Sequence, residues 1–341
     1  MRAPREVLVQ GAGGAELDEY IAEALRRRGL GPSLRASAPF LLLDHEDPVE
    51  VAYALARLPG LERLFVGWSC GGGLDELLRL ARRVARAYFR RGDSVSVRAL
   101  SEDPSLSPEE LELHAVSALM GDPRVPRFEL SSSEEALTLW VVAWREGGFV
   151  ALRAYEGLGG RPYGSEGRAL AFLTYSLRSA VAAFLALRRG YGLQLAMVDA
   201  RPHMAEEQIE ALVKAACLLS EHMPAGASLA IYRYPLRGSP RAQLACLAPP
   251  LLKRWGCSTL IASPSDPARD PTYWLTEQEV LALWAKLSPG DYALSLPPKE
   301  PEEEGAPLGQ GELEELLAHE SLLELEGGAL GYHRALDLYP W

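Results

Sequence analysis

Residues 157–182 read GLGGRPYGSEGRALAFLTYSLRSAVA. A glycine-rich approach, Gly157–Gly164, leads into an apolar run, Ala169–Leu173, that is predicted as a buried strand. The turn Thr174–Ser179 and a helix over Ala180–Arg189 follow. A strand–turn–helix of this kind aims backbone N–H groups and the positive end of a helix dipole at a phosphate. Such a turn needs glycine, because the backbone must approach the anion closely and take up φ > 0. The turn here, Thr174-Tyr175-Ser176-Leu177-Arg178-Ser179, contains none. The scaffold of a nucleotide-binding segment is therefore predicted with its phosphate chemistry replaced.

Downstream, strands are predicted over 193–198, 228–232 and 259–262, with helices over 206–222, 241–255 and 277–287. The helix over 241–255 is expected to break or kink at Pro249-Pro250. The last helix opens with a capping box from Thr276 to Glu279. Strands alternating with helices predict a parallel, doubly wound sheet, whose ligands bind beyond the strand C-termini. Residues 174–179, 199–203, 234–239 and 263–270 would ring that edge. The tail, 297–341, begins with a Pro- and Glu-rich linker and carries a short helix around 313–318 and a strand at 322–325.

Upstream, strands over 7–10, 40–44 and 61–68 alternate with helices over 15–28 and 47–56. This alternation predicts a small ferredoxin-like α+β domain. A second unit opens with the amphipathic helix 74–89, with Leu77, Leu78, Ala81, Val84 and Tyr88 facing inward. Arg79, Arg82, Arg83, Arg86 and Arg90 recur along it at three- and four-residue steps and form one basic stripe. A strand over 94–99, a helix opened by the capping box Ser107 to Glu110, and paired strands over 136–144 and 149–154 complete the unit.

Composition narrows the functional classes. The net charge of −11 argues against a generic nucleic-acid binder, though not against a local basic face. Met1–Glu6 is charged and Val7–Val9 is too short for a secretory signal. No stretch approaches the roughly 18 apolar residues of a membrane span, so a cytoplasmic protein without membrane contact is expected. Asparagine is absent and arginine outnumbers lysine, which fits a hot-living source or GC-rich codon usage. The four cysteines, Cys70, Cys217, Cys246 and Cys257, form no C-x-x-C pair. Cys217 and Cys246 read as core residues. The clusters 44–47 and 199–203 lack a spacing that demands a metal, and no metal site is predicted.

The chain resembles the tRNA 4-thiouridine sulfurtransferase family, which also supplies sulfur for the thiamine thiazole. That family carries a GxGGxPxG linker, a strand, and then a PP-loop of the form SGGxDS. Gly157-Leu158-Gly159-Gly160-Arg161-Pro162-Tyr163-Gly164 matches the linker. Thr174 stands at the first loop serine, Tyr175 and Ser176 replace the two glycines, Arg178 replaces the aspartate, and Ser179 alone is unchanged. The resemblance extends upstream through 58–100 and 114–155, which look like a THUMP RNA-binding domain, and downstream to about Leu296. It implies a ferredoxin-like domain over 1–70, a THUMP-like domain with linker over 71–165, an altered PP-loop α/β domain over 166–296 and an acidic tail over 297–341. An archaeal source is also expected.

Two readings of the basic stripe stand side by side: a solvated helix face, or a phosphate-binding face, since the arginine fork binds phosphate bidentately. The THUMP-like context favours RNA contact, with Arg98 and Arg153 added. In the loop, Tyr175 puts a ring where a phosphate would sit and Arg178 reverses a charge. The family's catalytic cysteine falls in the stretch Tyr234–Pro240, which has no cysteine here. The expected function is tRNA or structured-RNA binding without catalytic residues and without a cofactor. The alternatives are an active ATP-dependent sulfurtransferase with a divergent loop, and a scaffold acting through a protein partner or homodimer. Arg178 is expected to fill the former phosphate region, paired with Asp199 or Asp266.

Overall fold

The computed structural model describes residues 3–11, 15–31, 33–37, 40–133, 135–174, 177–199, 205–224, 227–233, 240–261 and 320–325. Its contacts form two compact units, residues 1–57 with 61–159 and residues 58–60 with 160–341. The protein is a mixed α/β chain with one unit built on a parallel sheet.

The first unit contains β1 (Glu6–Gly11), α1 (Ala15–Arg27), β2 (Ser33–Ser37), β3 (Phe40–Asp44), α2 (Pro48–Ala56), β4 (Leu61–Cys70), α3 (Leu74–Tyr88), β5 (Ser94–Ser101), α4 (Pro108–Met120), β6 (Glu129–Leu130), β7 (Leu137–Trp144) and β8 (Gly147–Glu156). Its helix starts are fixed locally. Asp47 accepts from the Glu50 N–H at 3.0 Å ahead of Pro48, and Ser107 and Glu110 form the expected reciprocal capping box. All eight strands join one sheet in the order β2-β3-β1-β4-β8-β7-β5-β6. The sheet runs through residue 70 without interruption, because β4 pairs antiparallel with β8 from Arg63–Glu156 to Cys70–Gly148. The edge strands β2 and β6 are too short and polar to show in the sequence.

One face of this sheet packs under α3 and α4, with Leu77, Leu80, Ala81, Val84 and Ala85 inside. The inward face of α3 thus differs from the expected one. Leu80 and Ala85 are buried, Leu78 is half-buried, and Tyr88 stays exposed against Trp68, ring centroids 5.3 Å apart. The opposite face gathers Leu8, Phe40, Leu42, Phe65, Val142, Trp144 and Phe149. Phe40 on β3 and Trp144 on β7 are separated by β1, β4 and β8, about 19 Å at flat strand spacing. Their rings lie 5.5 Å apart, so the sheet rolls over this second cluster and buries it.

The second unit contains β9 (Arg168–Leu173), α5 (Leu177–Arg188), β10 (Gly192–Asp199), α6 (Glu206–Ser220), β11 (Ala227–Arg233), α7 (Pro240–Trp255), β12 (Thr259–Ile261) and β13 (Glu320–Leu325). The strand order is β12-β9-β10-β11-β13. The first four strands are mutually parallel and β13 closes the edge antiparallel to β11. Ala169–Leu173 is buried throughout, as a strand covered on both faces requires. Leu170, Phe172 and Ala196 pack against Ala248 and Leu251 of α7. The break expected at Pro249-Pro250 does not occur, and α7 runs through both prolines. Ala248 and Leu251 on either side are buried in the core, and this packing offsets the hydrogen bonds that the prolines remove. The predicted helix 277–287, its Thr276 cap and the helix around 313–318 lie outside the described residues.

Candidate functional site

The parallel sheet changes direction of winding between β12 and β9, so the strand order reverses beside the C-terminal end of β9. That is the position where open α/β sheets hold their ligands. The chain reaches it through Leu173 and Thr174 and leaves it as α5. Local sequence explains the start of α5. Ser179 lies in its first turn, only 8% exposed, and its Oγ turns back on the strand end. Oγ accepts from the Thr174 N–H at 3.0 Å and donates to the Thr174 carbonyl at 2.9 Å. The expected turn through Ser179 is therefore shorter than predicted. The helix begins at Leu177, because the Ser179 hydroxyl closes the strand end from inside the first helical turn.

Arg178 sits beside it in the same turn, half-buried. Tyr175, Ser176, Asp266 and the side chain of Asp199 lie outside the described residues, as do 234–239 and the side chain of Cys246. Cys217 is buried on α6, and burial pushes its thiol up to about 12. Burial also raises Cys70, beside the Gly148 carbonyl, to about 11, and raises Cys257. These shifts disfavour thiolates at neutral pH.

The glycine-rich linker lies at the other end of the same sheet. Arg161 N–H donates to the Arg188 carbonyl at 3.0 Å, Glu166 N–H to Gly190 at 3.1 Å, and Gly192 N–H to Gly167 at 2.8 Å. The Tyr163 hydroxyl bonds both Leu193 N–H and carbonyl, at 3.1 and 3.4 Å. Gly160 has φ +82°, and a Cβ there would sit 2.0 Å from the Arg188 oxygen. The linker is a backbone clip on the entry side of the sheet.

In the first unit the arginines divide into groups. Arg79, Arg83 and Arg86 are exposed on α3 and Arg82 is half-buried beside them. Arg79 Nε donates to the Asp75 carbonyl at 3.2 Å. Arg86 is ion-paired to Asp122, which holds the Asp122 carboxyl below its ordinary range. Arg90 falls beyond the helix, because Phe89 is already extended, and its N–H donates to Asp93 at 2.7 Å. Arg98 on β5 is exposed and alternates with Val97 and Ala99, which pack toward α3 and α4, so it belongs to the opposite face. Arg153 pairs with Val66 and neighbours Ala154, a member of the rolled-face cluster, which places Arg153 on the other side of the sheet from Arg98.

Sequence reasoning missed one constellation. Arg63 of β4 lies over the Trp140 ring of β7, 4.9 Å from its centroid, and Phe65 meets the same ring edge-on at 5.3 Å. Arg63 and Trp140, with Arg98, border a cleft of about 650 Å³ at the β5 edge. Alternation marks Arg63 and Phe65 as sharing a face, but only the order β4-β8-β7 brings that face to Trp140. Among the described residues, no helix is long and apolar enough to cross a membrane.

The second unit thus defines an α/β protein whose parallel sheet reverses its strand order beside the C-terminal end of β9, where Ser179 bonds both backbone groups of Thr174. Residues 164–237 match the family described as thiamine biosynthesis protein (ThiI). The chain is 23% identical over 198 residues to the probable tRNA sulfurtransferase of Bacillus subtilis, covering 57% of this chain and 48% of that protein. The Enterococcus faecalis probable tRNA sulfurtransferase is 22% identical over 173 residues, covering 50% of this chain and 42% of that protein. The chain spans about half the length of the curated relatives it matches. Its fold resembles a 4-thiouridine synthetase solved as an RNA complex with bound ATP, at TM-score 0.64 and 15% identity over 95% of this chain and 100% of that one. It also resembles PH1313 from Pyrococcus horikoshii, at TM-score 0.58 and 16% identity over 83% and 99% of the two chains. The chain is related to the tRNA sulfurtransferases and carries a ThiI-like segment.

Proposed function

We propose that this protein binds tRNA or another structured RNA and performs neither adenylation nor sulfur transfer. The observation that carries the reading is Ser179. The loop residue that keeps the family's identity is buried and spends its hydroxyl on both backbone groups of Thr174. Tyr175, Ser176 and Arg178 replace the glycines and the aspartate, and the stretch Tyr234–Pro240 offers no thiol for a persulfide. In this reading, residues 1–70 form a ferredoxin-like domain, 71–165 a THUMP-like RNA-binding domain with its linker, and 166–296 an altered PP-loop domain followed by an acidic tail. Arg79, Arg82, Arg83 and Arg86 of α3 supply the main phosphate contacts, with Arg90 just beyond the helix and Arg153 on the same side of the sheet, while Arg98, on the opposite face, lies apart from this surface. Arg178 takes the place of the phosphate, and the protein works in the cytoplasm without ATP.

A second reading follows from the bound ATP and RNA of the 4-thiouridine synthetase neighbour: a divergent but active ATP-dependent tRNA sulfurtransferase. Pyrophosphate release from ATP in the presence of tRNA decides between the two. The proposal expects none. Turnover that disappears in Arg178→Ala establishes the enzyme instead.

A further inference from the structure

We infer that the cleft at the open edge of β5 is a docking site for an extended peptide strand carrying acidic side chains. The edge is open because β6 is short. It pairs with β5 only at Ser94–Glu129 and Val95–Leu130, and the Ser131 N–H then takes the Val95 carbonyl at 3.0 Å. Asp93 and Val95 both turn their carbonyls to this side, while the Glu102 N–H turns the other way, to Ala143. The backbone alternation therefore aims the N–H and C=O groups of Val97 and Ala99 at the same side as Val95. No strand among the described residues pairs with them there, and both residues border the cleft. The result is a row of donors and acceptors at strand spacing, the template that strand addition uses.

The cleft straddles that edge. On one side stand Arg63 and Arg98 with Trp140, and on the other Val116 and Glu112 of α4. An added strand would point alternate side chains to the two sides. Those facing the arginines meet two guanidinium groups, which selects carboxylates. Pairing with a second copy of β5 is disfavoured, because an antiparallel self-pair centred on this edge sets Arg98 opposite Arg98. A nucleic acid fits less well. Arg63 already covers one face of Trp140, which leaves a base at most the other face to stack on, and Glu112 repels a phosphate. The site is independent of the α3 arginines.

The test is titration of the full chain with an acetylated, amidated heptapeptide alternating valine and glutamate, to millimolar concentration. The readouts are NMR shifts and amide exchange at Val97 and Ala99. Binding with slowed exchange at both amides is expected. Ala99→Pro removes one edge N–H at a position an edge strand tolerates, and should weaken binding by up to about tenfold. Circular dichroism checks that this variant folds. N-methylation of the peptide at alternate residues tests the same bonds on the wild-type protein and should abolish binding. Arg98→Glu should weaken the glutamate peptide and favour a valine–lysine one. The inference is overturned by no binding, by equal binding of the N-methylated peptide, or by a single-stranded RNA oligonucleotide that protects the same amides and displaces the peptide.

Discussion

Replacing Ser179 by alanine separates a structural hydroxyl from a phosphate-binding one. Ser179 is 8% exposed and bonds both the N–H and the carbonyl of Thr174, at 3.0 and 2.9 Å. Each bond is worth about 1 kcal/mol net, and a buried group left without a partner costs about 1–3 kcal/mol. Thr174 is half-buried, so water recovers part of the loss. Alanine adds back roughly 0.5 kcal/mol of helix propensity. The expected destabilisation is about 2 kcal/mol, which lowers Tm by roughly 4–8 °C for a unit of this size. Thermal denaturation is followed by circular dichroism with and without millimolar Mg-ATP. The expected result is that Ser179→Ala melts lower and that ATP shifts neither protein. A bound nucleotide at a hundred times its Kd would add about 2.7 kcal/mol, an effect of the same size and readily seen. The reasoning is refuted if the wild type is stabilised by ATP while Ser179→Ala keeps the native Tm but loses that ATP response.

Four further outcomes follow from the structure. Gly160→Ala should destabilise the protein by at least about 1 kcal/mol, since positive φ and a Cβ 2.0 Å from the Arg188 oxygen both oppose it; denaturant unfolding measures this. Charge reversal of Arg82, Arg83 and Arg86 should weaken tRNA binding and lower the salt slope by roughly 0.7–0.9 per lost phosphate contact. Unchanged affinity and slope in a filter-binding series would make the stripe a solvated face. Alkylation of the native protein with iodoacetamide, mapped by mass spectrometry, should spare Cys70 and Cys217 at pH 8 and reach Cys70 first as pH approaches its raised value of about 11. The linked stability has the same sign: a thiol raised in the folded state stabilises fully below its unfolded pKa. That contribution is lost as pH rises through the folded value, so Cys217→Ala should flatten the alkaline limb of the stability curve.

Periodicity made the central elements legible. Phe40–Asp44 and Leu61–Trp68 are apolar runs too short for helices, and both are strands, the second longer by two residues. Ser107 and Glu110 marked a helix start through local chemistry that needs no tertiary context. What stayed hidden depends on pairing between distant residues. β2 and β6 carry no apolar signal and form only because an edge is available to them. Leu78 and Leu80 compete for the inward side of α3 in the sequence, and the sheet beneath settles it for Leu80. Arg90 kept helical spacing with Arg86 on paper, but the chain leaves the helix at Phe89. The Arg63–Trp140 contact needs β8 to stand between β4 and β7, a fact of topology rather than of pattern.

The two glycine-bearing segments of the second unit answer to different physical demands. Gly160, Gly167 and Gly190 sit at the entry side of the sheet, with φ of 82°, 86° and 97°. Gly160 and Gly190 are pressed against backbone or side-chain atoms of the clip. Their lack of a side chain is required by the chain's own packing, whatever the sheet binds. A glycine at 175 or 176 is required only if an anion must approach the backbone at the exit side. Ala169–Leu173, by contrast, is held by its own burial and by the packing of Leu170 and Phe172 against α7. Under the proposed function, a chain that keeps the first set and replaces the second retains its fold without a phosphate site. Ser179 fits that reading, because its hydroxyl is committed to both backbone groups of Thr174 at the strand end.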